Sequence, residues 1–145
     1  MASAPLIKLS RERIDCAALA EKIRTDACGA VITFAGVVRE LSDDERAVNG
    51  LSYETYPAMA LEEMRKIAAE AQEQFGPCEI AIVHRFGDLA IGETSVAVVV
   101  AAPHRGPAFD ACEYAIDELK ARVEIWKKEH YLDGDATWRE NAKSR

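Results

Sequence analysis

The chain has 145 residues, of which 49% are hydrophobic and 30% are charged, and its formal net charge is −7. This length predicts one domain, residues 1–145, with a substantial hydrophobic core. The acidic balance argues against a general binder of nucleic acids or membrane surfaces, so any anion site must be local. The four cysteines are too scattered for a zinc site, and no segment has the apolarity of a signal peptide or the length of a membrane span. We therefore expect a cytoplasmic protein without a metal site.

The first third of the chain predicts a helix, a strand and a loop. Apolar residues recur at near-helical spacing over residues 11–27, and Ser10 is available as the N-cap. The β-branched run from Gly29 to about Arg39 predicts a buried strand. The acidic segment 40–50 ends in Asn-Gly, which predicts a mobile loop or a wide hairpin connection.

The middle of the chain predicts three strands and the clearest helix. Residues 51–56 alternate apolar and polar side chains, as a half-buried strand does. Pro57 then opens a long helix that Gly76 stops. Residues 78–87 and 93–103 predict two more strands joined by a turn.

The last third predicts another helix and a hairpin. The stretch 102–129 is mostly helical in pattern, and Asp133-Gly134 lies between two short aromatic segments that predict a β-hairpin. The whole order is α, β, β, α, β, β, α and a small C-terminal β element. This order predicts an α+β fold in which helices pack on one face of a mostly antiparallel sheet.

Cations collect around the third helix although the protein is acidic. Lys120 lies on the edge of an apolar stripe, and Lys127 would follow two turns later if the helix continued. Both lysines are compatible with ordinary solvated surface positions. Like charges nearby would lower the pKa of a lysine amine and make it a usable base, whereas a fixed ammonium would simply hold anions. The apolar stripe consists of Phe109, Cys112, Ile116, Leu119 and Val123.

Three further cations are candidate anion ligands. His104 and Arg105 lie just ahead of the third helix, where free backbone N–H groups and the helix dipole favour an anion. The alternative for His104 is a capping or packing role. Arg39 follows the end of a strand, where binding residues concentrate. His84-Arg85 enters a turn instead of a helix and is a weaker candidate.

Five segments in order resemble the catalytic, large subunit of molybdopterin synthase. They are FAGVVR (34–39), YETYPAMA (53–60), IVHRFGDLAIGE (82–93), the stretch 102–129 and DGDATW (133–138). The resemblance implies an α/β hammerhead fold and a homodimer that binds two small ubiquitin-like sulfur-carrier subunits, giving a heterotetramer. Each carrier would insert its C-terminal Gly-Gly tail as a thiocarboxylate. Two sulfurs would pass to cyclic pyranopterin monophosphate to form the dithiolene of molybdopterin, with no metal or organic cofactor.

The same resemblance implies roles for individual residues. Lys120 and Lys127 match the catalytic lysines, with Lys120 closest to the thiocarboxylate carbonyl and Lys127 holding the pterin or moving protons. The implied substrate-binding positions are Phe34, Val37, Val38, Arg39, His104, Arg105, Lys128 and Glu129. Members of this family also bring a tail arginine toward the neighbouring pocket, but here the comparable position is Ala142, with Lys143 and Arg145 nearby.

Two other functions fit the residues. A pterin-phosphate or nucleotide-binding module without catalysis would keep Arg39, His104 and Arg105 but would not need Lys120. An adaptor that docks a ubiquitin-like protein would carry the lysines as surface charge. Loss of turnover in a Lys120 variant that still binds its partner separates the enzyme from both.

Overall fold

The computed structural model describes residues 2–140, which form three helices and eight strands and confirm the expected mixed α+β class. The elements are β1 Leu6–Ser10, α1 Cys16–Ile23, β2 Ala30–Val37, β3 Val48–Thr55, α2 Pro57–Phe75, β4 Glu79–Arg85, β5 Gly87–Ala90, β6 Thr94–Ala102, α3 Arg105–Arg122, β7 Ile125–Tyr131 and β8 Ala136–Glu140. No helix in this part of the chain has both the length and the apolar composition needed to cross a membrane.

The first sheet has the strand order β1-β4-β6-β2. β1 runs parallel to β4, and the other pairs are antiparallel. α2 and α3 cover one face, where Ile82, Val98 and Leu119 belong to the hydrophobic core. α1 contacts β2, β4 and β6, and because alternate β6 residues such as Val99 are also fully buried, it covers the opposite face. The prediction of helices on one face is therefore wrong for α1, since the continuous apolar run of β6 requires cover on both sides.

The second sheet has the order β5-β3-β7-β8 and is antiparallel throughout. The predicted C-terminal hairpin is confirmed: β7 and β8 flank a turn in which Gly134 has a φ of 89°, a value that glycine adopts without strain. This hairpin is not a separate small element, because β7 also pairs with β3. The segment predicted as a turn between two strands contains β5, which extends the same sheet.

Several element boundaries differ from the predictions. Ser10 ends the unpredicted strand β1, and the first helix begins only at Cys16, where the Asp15 carboxylate accepts a hydrogen bond from the Ala18 N–H at 3.0 Å. The third helix ends at Arg122, so Lys127 lies on β7 and not two turns along the helix.

β2 was predicted as a buried strand, and this is wrong. It lies at the edge of the first sheet, with β6 on one side and no strand on the other within residues 2–140. Val31, Phe34 and Val37 are all exposed. A β-branched run alone cannot distinguish a central strand from an apolar edge strand.

Gly29 fixes the approach of β2 to the segment that precedes α3. Its N–H donates to Ala102 O at 2.9 Å, and a Cβ atom at this position would lie 2.5 Å from the carbonyl oxygen of Pro103. We expect Gly29→Ala to lower the free energy of unfolding by about 1–3 kcal/mol, because a backbone oxygen must move. Gly106→Ala, where no atom lies within 4 Å of the added methyl group, should cause no loss. Equal urea midpoints for the two variants would contradict this account.

Candidate active site

Lys120 lies in the last turn of α3, where it borders two concavities. One is a cleft of about 140 Å³ between the end of β2 and the inner faces of β3 and β7. The other is an apolar groove of about 560 Å³ between β2 and α3. The lining of the cleft includes Val38, Arg39, Tyr53, Lys120, Lys127 and Glu129. Lys120 is therefore the residue at which the groove along the edge of the first sheet meets the cleft.

Lys127 reaches the cleft because successive side chains of β7 point to opposite faces of the second sheet. After α3 the chain reverses direction, and Lys127, Glu129 and Tyr131 point to the inner face of the second sheet, where all three are buried. Lys128 points to the outer face, and its ammonium lies 5.6 Å from the centre of the Trp138 ring. The structure therefore places Lys128 on the opposite face of the sheet from the other lysines.

The amine of Lys120 is set up to lose its proton near neutral pH. Burial lowers its pKa to about 8, and the ammonium of Lys127 acts in the same direction, while the Asp43 carboxylate opposes both. Roughly one molecule in ten then carries a neutral amine at pH 7. From the sequence, only the clustering of cations was available as a cause for a lowered lysine pKa. In the structure, burial is the larger cause.

This lowered pKa predicts a stability cost that depends on pH. The unfolded chain binds a proton at Lys120 up to about pH 10.5 but the folded chain only up to about 8, so the cost is complete below pH 8 and disappears as the pH rises to 10.5. We expect Lys120→Met to raise the free energy of unfolding at pH 7 by about 1–3 kcal/mol, with a smaller gain at pH 10.5. Lys66→Met, at an exposed lysine of α2, should show no such gain. A difference that stays constant in urea unfolding from pH 7 to 10.5 would refute the linkage.

Glu129 is a buried anion with its own partners. It accepts a hydrogen bond from the Tyr131 hydroxyl at 3.2 Å and forms an ion pair with Arg139, whose Nε lies 3.0 Å from the Glu129 carboxylate. Arg139 Nη2 in turn contacts the Asp44 carboxylate at 2.9 Å. Because the charge of Glu129 is already compensated, its carboxylate positions Arg139 and the inner face of β7 rather than offering a free ligand.

Arg39 stands at the mouth of the cleft, at the start of the loop predicted to be mobile. Its guanidinium Nη2 lies 2.6 Å from the Asp43 carboxylate of the same loop, and both side chains are exposed. The loop is closed by a bridge between Leu41 and Ala47. The Asn-Gly pair is not in the turn, since it belongs to β3.

His104 and Arg105 lie far from this cleft in their own chain. His104 is the N-cap of α3, and both side chains are exposed. Lys120 comes 15 residues after Arg105 on the same helix, a separation of about 22 Å along the axis. A single chain therefore does not bring these cations to Lys120. Ala142, Lys143 and Arg145 lie outside the described residues.

The apolar groove was not predicted from the sequence. Phe109, which was assigned to the buried stripe of α3, is 56% exposed and lines the groove with Phe34 and Ile116. That assignment is wrong because the core-facing positions of α3 are mainly small. They are Ala108, Ala111, Cys112, Ala115 and Leu119. The sequence signal for the groove was the pair Phe34 and Phe109. Both are large apolar side chains that the rest of the chain does not bury.

His84 is buried close to the cleft. Its Nδ1 N–H donates to the Arg85 carbonyl oxygen at 2.7 Å, and its ring packs edge-on against Tyr53 with 5.1 Å between ring centroids. Burial lowers the pKa of His84 to about 4, with the ammonium of Lys120 acting in the same direction. The buried imidazole is therefore neutral at pH 7. The weak sequence signal at His84-Arg85 marks this buried pair and not a surface anion site.

The fold and the cleft together define a small α+β protein with a basic, lysine-containing pocket suited to anionic ligands. Within residues 2–140 no group of three or more His, Cys, Asp or Glu side chains is placed to hold a metal ion. Comparison with known proteins agrees with this class. A family model described as MoaE protein matches residues 9–122, and the chain therefore belongs to the MoaE family.

Individual relatives extend the match over most of the chain. The molybdopterin synthase catalytic subunit of Emericella nidulans is 44% identical over 121 residues, which are 83% of this chain and 62% of that protein. The chain thus spans a little under two thirds of that relative. The crystal structure of molybdopterin synthase from Staphylococcus aureus has a TM-score of 0.85 at 36% identity, covering 90% of this chain and 94% of that one. A complex of subunits 1 and 2 of molybdopterin-converting factor from Helicobacter pylori has a TM-score of 0.72 at 25% identity, covering 96% and 91%.

Proposed function

We propose that this protein is the catalytic subunit of a molybdopterin synthase, a cytoplasmic sulfurtransferase. It takes sulfur from the C-terminal thiocarboxylate of a small ubiquitin-like carrier and transfers it to cyclic pyranopterin monophosphate. The observation that carries the proposal is Lys120, which lines both the apolar groove and the basic cleft and whose amine has a pKa of about 8. The similarity to catalytic subunits of this enzyme supports the same reaction.

The groove and the cleft suit the two reactants. A Gly-Gly tail has no side chains, so it can lie extended in the groove beside Phe34 and Phe109 and present its thiocarboxylate to Lys120. The pterin phosphate occupies the cleft, where Arg39 and Lys127 supply charge-assisted hydrogen bonds and the backbone of Val37 and Val38 forms the wall. Every reactant is anionic, which accounts for a local basic site in an acidic protein.

Lys120 acts at the carrier's carbonyl carbon. Each sulfur leaves this carbon and bonds to a carbon of the substrate's pyran ring, whose bond to oxygen breaks, so that the displaced oxygen leaves as water or stays on the opened phosphate ester. A water oxygen takes the place of the sulfur on the carrier, which ends as a carboxylate. The neutral amine accepts the proton of that water, and the resulting ammonium stabilises the negative charge on the carbonyl oxygen. Lys127 holds the pterin and keeps the pKa of Lys120 low. Glu129 positions the inner face of β7 through its ion pair with Arg139. Lys128 packs against Trp138 on the outer face of the second sheet.

A homodimer supplies the missing anion ligands. Antiparallel pairing of two β2 edges about Thr33 and Phe34 would set Ala30 of the partner subunit opposite Val37. Because Ala30 pairs with Ala102 at the end of β6, the segment that leads into α3 of the second copy would then lie beside the cleft. The partner subunit's His104 and the partner subunit's Arg105 would thus complete the phosphate site. The exposed apolar side chains of β2 favour such cover.

The carrier is proposed as the second kind of subunit. The Helicobacter pylori neighbour is described as a protein–protein complex of two subunits of molybdopterin-converting factor, and two carriers on one dimer would give a heterotetramer.

The test is single-turnover formation of molybdopterin from cyclic pyranopterin monophosphate after mixing with a thiocarboxylated carrier. The dithiolene is followed by its fluorescent oxidation product. Product that requires both the carrier and this protein is the expected result. Carrier binding without product would instead indicate an adaptor, and pterin binding without product would indicate a binding module.

A further inference from the structure

The loop that follows β2 at the mouth of the cleft pairs the Asp43 carboxylate with the Arg39 guanidinium, a cation available to incoming anions. Arg39 Nη2 and Asp43 Oδ1 are 2.6 Å apart. Asp43 also acts on Lys120, whose pKa it raises against the effects of burial and Lys127. A negative charge of the protein itself therefore lies where the anionic reactants must bind.

The loop is fastened by contacts that do not involve Asp43. The Asp44 carboxylate accepts hydrogen bonds from the buried Ser42 hydroxyl and from Arg139 Nη2. Arg46 contacts the Asp133 carboxylate at 2.9 Å and stacks on the Tyr131 ring at 3.6 Å. Asp43 can consequently rotate away from Arg39 while the rest of the loop keeps its position.

We propose that Asp43 is a binding-site residue that occupies the anion position of Arg39 in the empty cleft, sets a threshold affinity for anions there and is displaced when an anionic reactant binds. An intramolecular carboxylate competes with every external anion by the same factor. Chloride and simple carboxylates, which bind one guanidinium weakly, then stay largely unbound, whereas a phosphate dianion that also reaches Lys127 overcomes the competition. The identity of the natural anion rests on the proposed function, but the exchange at Arg39 does not.

The experiment is calorimetric titration of the full chain with inorganic phosphate at pH 7. Because the Arg39–Asp43 pair is exposed, we expect Asp43→Asn to bind phosphate about two- to fivefold more tightly than the wild type. Glu45→Gln, on the same loop and exposed, changes the net charge equally and should leave the affinity unchanged. Adding Arg39→Gln to Asp43→Asn should remove the gain.

Two results would overturn the proposal. One is equal phosphate affinity in Asp43→Asn and the wild type, including no binding to either. The other is an equal gain in Glu45→Gln, which would show a general effect of net charge. The titration needs neither carrier nor turnover, so a failed synthase assay with a tighter Asp43→Asn would reject the proposed function and keep the exchange. In an active synthase, Asp43→Asn should lower KM for the pterin substrate without raising kcat.

Discussion

Lys120→Met is expected to reduce single-turnover molybdopterin formation by about 10²–10⁴-fold while the carrier still binds. Lys120 lines both concavities, and methionine keeps most of the apolar stem of lysine without the nitrogen. Lys127→Met should also lower the rate strongly, because it removes a cation that is 8% exposed in the cleft. Lys66→Met is the control for loss of a lysine elsewhere. A Lys120→Met protein with wild-type turnover would reject the catalytic role.

The pH dependence separates the two roles of an amine. If the neutral form of Lys120 accepts a proton, the single-turnover rate rises with pH toward a plateau above about 8, the pKa of this residue. Burial and two charged groups set this value: Lys127 on β7 lowers the pKa and Asp43 on the loop raises it, while the neutral His84 on β4 adds no charge. Lys127→Met removes the like charge and should move the rise to higher pH. A rate that falls through pH 8 would instead show that the ammonium is the active form.

Local signals predicted much of the fold. The Pro57–Phe75 helix was predicted between the correct residues, because proline at the first position and Gly76 after the last are strong local markers. The apolar strands β4 and β6 and the β7–β8 hairpin were also predicted. In each case neighbouring residues determine the element.

Features that depend on distant pairing were not predicted. Whether β2 is central or at an edge depends on which strands pair with it, and its composition is the same in both cases. The division into two sheets has the same origin. The positions of Lys127 and Lys128 on opposite faces follow from the period of two in β7, but only once the strand is known to start at Ile125.

The candidate site was predicted residue by residue from a family resemblance, and its geometry required the structure. Clustering of cations on one helix suggested that Lys120, His104 and Arg105 belong together. The helix itself separates them, since they lie at its two ends. Conversely, Tyr53 lines the cleft and Asp43 lies beside Arg39 at its mouth, although neither was a candidate site residue from the sequence.

The distance along α3 leads to the sharpest test of the dimeric site. A double variant His104→Ala/Arg105→Ala and a single variant Lys120→Met should each be almost inactive as homodimers. Each pocket of the proposed dimer takes Lys120 from one chain and His104 and Arg105 from the other. In a hybrid dimer, one pocket therefore contains all the substitutions and the other pocket contains none. If the subunits exchange at random, half of the dimers are hybrids with one intact pocket in two, so the mixture should recover about a quarter of wild-type activity.

The matched control is a mixture of Lys120→Met with Lys127→Met. Both lysines belong to the cleft of their own chain, so every pocket in every dimer keeps one defect and no activity should return. Activity is measured by single-turnover molybdopterin formation after co-refolding or co-expression, with the hybrid fraction read by mass spectrometry of the intact dimers. No recovery in the first mixture would mean that each chain builds its site alone and that His104 and Arg105 act elsewhere. Recovery in both mixtures would mean that Lys120 and Lys127 of one chain act in different pockets. That result would contradict the structure, in which both residues line the same cleft.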